Sequence, residues 1–223
     1  RGVLFVNPGG PGVPAQDFAQ LVWSTLSDAS ERFDVIGLDG RGTGESEPFL
    51  NCSSAAEIEQ NRQIPLADLD QQTAWYQGQL DRCRSLLGDE VVAQLGTIAS
   101  ARDLDAARAA LGEPMISFLG VSYGTRLGEV YATLFPTRVA AMVLDSVVSP
   151  EWPLVPDLRG SAAAMEVSLS RFFELCGASA ACAFHGGQGT DAVRSAFDAL
   201  WTINQMQNGF PLVRGGQLSS GDF

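Results

Sequence analysis

The sequence predicts an α/β fold, a mostly parallel sheet with helices on both faces. Two observations predict it. Apolar runs at residues 3–6, 33–38, 116–119 and 139–144 read as buried parallel strands. Between them lie segments whose apolar residues recur at helical spacing.

Each element follows in order. After the first strand, Phe18, Leu21, Val22 and Leu26 share one face of a predicted helix. The second strand, 33–38, ends in a glycine-rich turn. Residues 51–98 interrupt the alternation as a long insertion. Within it Leu69, Tyr76, Leu80, Cys83 and Leu87 follow helix spacing, ending at Gly88. Leu104, Ala107 and Leu111 mark the next helix, with Ser100 and Asp103 as its expected cap and Gly112 as its stop. The third strand leads into a helix carrying Leu127, Val130, Tyr131 and Leu134 on one face. Beyond the fourth strand no clear core strand recurs. Residues 162–175 and 191–202 read as helices, followed by a Gly-rich tail. The expected division is a core over residues 1–149 and a helical cap or lid over 150–223.

Bulk properties narrow the function. Hydrophobic residues make up 45% and charged residues 18% of 223 positions, a globular composition. No apolar stretch reaches membrane-span length. The net charge of −12 argues against nucleic-acid binding, which needs a basic face to displace counterions. All 14 basic residues are arginine. That excludes a P-loop lysine, a Schiff-base lysine and a kinase-type lysine. The four cysteines, Cys52, Cys83, Cys176 and Cys182, form no C-x-x-C pair, and a single His185 cannot complete a zinc cluster with them. The pairings Cys52–Cys83 and Cys176–Cys182 each close a local segment; two other connectivities and free thiols are the alternatives. Disulfides imply an extracytoplasmic setting, extracellular or in the cell envelope.

Three motifs carry chemistry. Gly120-Val121-Ser122-Tyr123-Gly124 is a G-x-S-x-G pattern between a predicted strand and a predicted helix. That context suits a nucleophile elbow, where a serine sits on a strained turn at a helix N-terminus. Asn7-Pro8-Gly9-Gly10-Pro11-Gly12 follows the first strand. Its prolines carry no N–H, so any anion-binding amides there come from the glycines or Asn7. Asp39-Gly40-Arg41-Gly42-Thr43-Gly44-Glu45-Ser46 lacks dinucleotide-site spacing and reads as a structural turn.

With Val143-Leu144-Asp145-Ser146-Val147-Val148, these motifs resemble, in this order, those of the prolyl aminopeptidase-type α/β hydrolases. The tripeptidyl aminopeptidase subgroup is similar in having Asn7-Pro8 where the wider family usually has a histidine at the second position. The likeness covers about residues 1–150 well and the remainder loosely. It implies Ser122 as nucleophile, the Gly10 and Tyr123 amides as oxyanion hole, and a peptide substrate. It implies no cofactor, no metal and no particular oligomeric state.

The resemblance also makes the first strand here the third of the complete fold. Arg1 runs straight into that strand pattern, so the chain reads as an incomplete α/β-hydrolase fold with the start of a helical cap. The family's acid and histidine come late and match no position here, so this piece alone is expected to be inactive. The order Ser122, Asp145, His185 does satisfy Ser…Asp…His. Yet no strand pattern precedes His185, which reads as a loop histidine, and Asp145 reads as a structural carboxylate. An esterase or lipase on the same scaffold is one alternative. An inactive binding or scaffold protein is another.

Overall fold

The computed structural model describes residues 2–62, 68–149, 154–184, 189–207, 210–211 and 217–218. Two compact units divide the chain. One comprises residues 1–52 and 78–152, the other 53–77 and 153–223.

The first unit holds the sheet. Its strands are β1 (Gly2–Asn7), β2 (Phe33–Gly37), β3 (Ile116–Val121) and β4 (Val139–Asp145). All pair in parallel, in the order β2-β1-β3-β4. Each coincides with a predicted apolar run. The helices before β4 are α1 (Ala15–Thr25), α2 (Ser27–Arg32), α3 (Ala55–Arg62), α4 (Leu69–Leu87), α5 (Asp89–Ala93), α6 (Thr97–Ala110) and α7 (Tyr123–Leu134).

Strand alternation explains how one short sheet feeds two cores. Leu4 and Val6 of β1 pack with Ala19 and Val22 of α1. Val3 and Phe5 point to the other face, joining Ile116, Phe118, Leu104 of α6, and Leu127 and Tyr131 of α7. Full burial of each such large side chain contributes about 1.5–3 kcal/mol. The chain thus shows the α/β-hydrolase arrangement of a parallel sheet with helices on both faces.

Three sequence expectations need correction. The buried face of α1 is Ala15, Ala19 and Val22; Leu21 and Leu26 are about half exposed. Alanines serve because α1 starts hard against β2, where Gly37 leaves no room for a Cβ beside the Ala15 carbonyl. Ser100 and Asp103 do not cap α6, which already begins at Thr97 after Gly96. Asp103 instead receives a bidentate ion pair from Arg41, at 2.6 and 2.7 Å. Leu111 is the half-exposed residue that ends α6, and Gly112 follows at φ 74°.

The Asp39 turn anchors α1. Pro14 precedes that helix and offers no capping side chain. The buried Asp39 carboxylate does so from a distance. It accepts the Ala15 N–H at 2.6 Å, the Gln16 N–H at 3.2 Å and the Gln16 Nε2 at 3.1 Å. It also accepts the Glu45 N–H at 3.0 Å, which closes its own turn. A carboxylate at a helix N-terminus is favoured by both orphan amides and dipole.

A second ionic group joins α6 to α7. Asp105 accepts from Arg108 Nε at 2.8 Å, from the Tyr131 hydroxyl at 3.3 Å and from Arg138. The guanidiniums, Arg108 above all, hold the Asp105 carboxyl below its ordinary pKa against the opposing effect of burial. Burial, with the nearby Asp105 charge, pushes the Tyr131 phenol up to about 12.

α4 runs over the predicted span and ends at Gly88, φ 83°. Its Cys83 is bonded to Cys52, as the local pairing expects. In the second unit, α8 (Leu154–Gly177) and α9 (Thr190–Gln207) pack around Phe173, Cys176 and Val193. Both outrun the predicted helices. Cys176–Cys182 is the second disulfide. β5 (Phe210–Pro211) and β6 (Gln217–Leu218) pair antiparallel within the predicted tail. Among the described residues, no helix is long and apolar enough to cross a membrane.

Candidate active site

Ser122 stands between the end of β3 and the first residue of α7, with φ 54° and ψ −124°. Its side chain belongs to an exposed residue. A positive φ is uncommon for serine, and holding it costs about 1–3 kcal/mol. Hydrogen bonds on both sides hold it. The Ser122 N–H donates to the Asp145 carbonyl at 2.9 Å. The Ser122 carbonyl accepts from the Thr125 N–H at 2.9 Å and from Thr125 Oγ1 at 2.7 Å. Fully buried Thr125 accepts in turn the Val148 N–H at 2.9 Å. The elbow is therefore clamped to the segment after β4, where Ser146 also has a positive φ of 59°.

The flanking glycines are required by contact. A Cβ on Gly120 would strike the Gly124 carbonyl, and one on Gly124 would strike the Asn7 carbonyl. Strand, turn and helix meet with no space for side chains.

The Asn7–Gly12 loop lies against this turn. A Cβ on Gly9 would stand 2.6 Å from the Tyr123 nitrogen and 3.0 Å from that of Gly124. Gly9 gives its own N–H to Asn7 Oδ1 at 3.0 Å. Between Pro8 and Pro11, Gly10 is left with an N–H that meets no protein acceptor among the described residues. The Tyr123 N–H, at the first residue of α7, has no intrahelical acceptor either. An exposed serine at a helix N-terminus, followed by the free Tyr123 amide, is an arrangement able to stabilise an oxyanion.

The other predicted residues fall differently. Asp145 follows β3's neighbour strand to its end; its carbonyl holds Ser122 and its carboxylate accepts the Ser146 hydroxyl at 3.1 Å. His185 lies outside the described residues. Cys52, Cys83, Cys176 and Cys182 are all in disulfides. Thr125, Asn7 as loop anchor, and Thr97, whose hydroxyl meets that of Tyr123 at 2.6 Å, were not singled out by sequence reasoning. Their partners are distant in sequence or are backbone atoms, which motif spacing does not reveal.

Comparison with known proteins gives the family. Residues 2–181 match the α/β hydrolase fold family, and the chain belongs to it. It is 38% identical over 191 residues to serine protease Hip1 of Mycobacterium tuberculosis, covering 81% of this chain and 36% of that protein. It is 40% identical over 158 residues to a tripeptidyl aminopeptidase of Streptomyces coelicolor, covering 67% and 29%. A carboxylesterase B of Mycobacterium tuberculosis is 36% identical over 200 residues, covering 86% and 38%. The chain spans about a third of the length of these relatives.

Proposed function

We propose that the protein is a serine hydrolase, and that it is an exopeptidase releasing short peptides or single residues from free N-termini. The observation that carries this reading is Ser122, held at positive φ where β3 turns into α7, with Gly9 of the Asn7–Gly12 loop packed against the Tyr123 nitrogen. Ser122 Oγ attacks the scissile carbonyl carbon and loses its proton to a general base. The two amides and the α7 N-terminus take the charge on the carbonyl oxygen. The leaving amine departs with a proton, and water releases the acyl group from Ser122.

The peptidase choice rests on relatives named as a serine protease and a tripeptidyl aminopeptidase. The acid and base come from the longer protein, as the resemblance implies. The commitment of Asp145 to Ser122 and Ser146 supports a structural role for it. Residues 150–223 would be the start of a helical cap or lid region, and the two disulfides support an extracytoplasmic location.

The relative named carboxylesterase B favours a second reading, an esterase on the same scaffold. Full-length protein offered tripeptide anilides and nitrophenyl esters separates the two. Turnover of the anilides supports the peptidase; turnover of esters alone overturns it. In the same assay His185→Ala is expected to keep wild-type turnover, and its loss would make His185 the base.

A further inference from the structure

Tyr123 has a side chain as well as an amide. Its partly buried phenol extends from the first residue of α7 to the first residue of α6, where the Thr97 and Tyr123 hydroxyls share a 2.6 Å hydrogen bond. A phenol turned inward needs such a partner, because an unpaired buried hydroxyl costs stability. Tyr123 also lines a cavity of about 470 Å³, together with Gly9, Gly12, Val13, Leu50 and Leu95. Tyr123 is therefore fixed at both ends. Its backbone meets Gly9 of the oxyanion loop, and its ring tip is held by α6.

The position of Thr97 within the helix pair makes this fixing rigid. About two turns further along both helices, Asp105 of α6 meets Tyr131 of α7. α6 and α7 are thus tied at two levels, and the upper tie ends on the residue that presents the elbow amide. Thr125 holds the Ser122 carbonyl end of the peptide that carries the Tyr123 N–H, and the Thr97 bond holds the side chain at its Tyr123 end; an amide aimed at an oxyanion tolerates little misplacement.

We infer that Thr97 is a positioning residue of the active site, acting through Tyr123 to aim the Tyr123 N–H at the substrate carbonyl oxygen. This rests on the serine-hydrolase reading above. The hydroxyl, and not the shape of Thr97, is the working group.

The test uses the full-length protein, with kcat counted per Ser122 titrated by a fluorophosphonate. Thr97→Val is expected to lower kcat about fivefold to tenfold with KM changed less than about twofold. Thr97→Ser should restore it. Tyr123→Phe should lose as much, and the double variant Thr97→Val/Tyr123→Phe no more than either alone. A merely structural threonine would reduce the titratable fraction and the melting temperature and leave kcat per titrated serine unchanged. That result, or additive losses in the double variant, overturns the inference while the hydrolase reading stands. A wild-type protein that neither labels nor turns over substrate overturns both.

Discussion

Ser122 carries a backbone strain that an ordinary turn serine does not need. The strain lifts its hydroxyl away from the strand, and Thr125 is the residue that secures it. Thr125 bonds the Ser122 carbonyl and the Val148 N–H through one buried hydroxyl. Thr125→Val keeps the shape, strands the Val148 N–H and leaves the Ser122 carbonyl with the Thr125 N–H alone, so a loss of about 1–3 kcal/mol in unfolding free energy is expected. Chemical denaturation measures it, and Thr125→Ser should recover most of the loss. Asn7 does the comparable task for the loop, because its Oδ1 occupies the Gly9 N–H. Asn7→Ala should reduce kcat/KM about tenfold in steady-state assays, as Gly9 and Gly10 lose their fixed turn. The strand–turn–helix setting of Ser122 was legible in sequence because its motif is local. Asn7, Thr97 and Asp39 were not legible in these roles, since each acts on an atom the spacing of letters does not identify.

The strands were legible because buried parallel strands are short, continuous apolar runs. The helices were legible in existence and less so in facing. α1 shows why. Leu21, and Leu26 just past its end, lie about half exposed, while Ala15, Ala19 and Val22 take the core face; at Ala15 the backbone comes hard against Gly37 of β2. The start of α1 depends on Asp39, four N–H groups being satisfied by one carboxylate. Asp39→Ala leaves those donors without their acceptor and should cost about 2–4 kcal/mol, read from the denaturation midpoint. The α6–α7 tie gives a pH dependence. The folded pKa of Asp105 is depressed, so its stabilisation is full above the ordinary carboxylate pKa of about 4. It is lost as pH falls through the lower folded value. Asp105→Asn should therefore flatten the acid limb of a stability–pH curve below about pH 4, and an unchanged limb would refute the assignment.

In the whole chain, the disulfides tie segments of different length. Cys52–Cys83 spans 31 positions and Cys176–Cys182 spans 6. Loop-closure entropy then gives about 4 kcal/mol to the first and about 2 kcal/mol to the second. Paired Cys→Ser replacement should lower the denaturation midpoint more for Cys52/Cys83, each in its own unit. The same molecule sets a four-stranded sheet, the Ser122 turn and the Asn7–Gly12 loop within residues 1–52 and 78–152. Everything chemical proposed for it converges on one hydroxyl. Fluorophosphonate labelling of the full-length protein, with the adduct located by mass spectrometry, tests that hydroxyl. A single adduct on Ser122, absent in Ser122→Ala together with hydrolytic activity, is the expected result. Labelling at another residue, or undiminished turnover in Ser122→Ala, would contradict it.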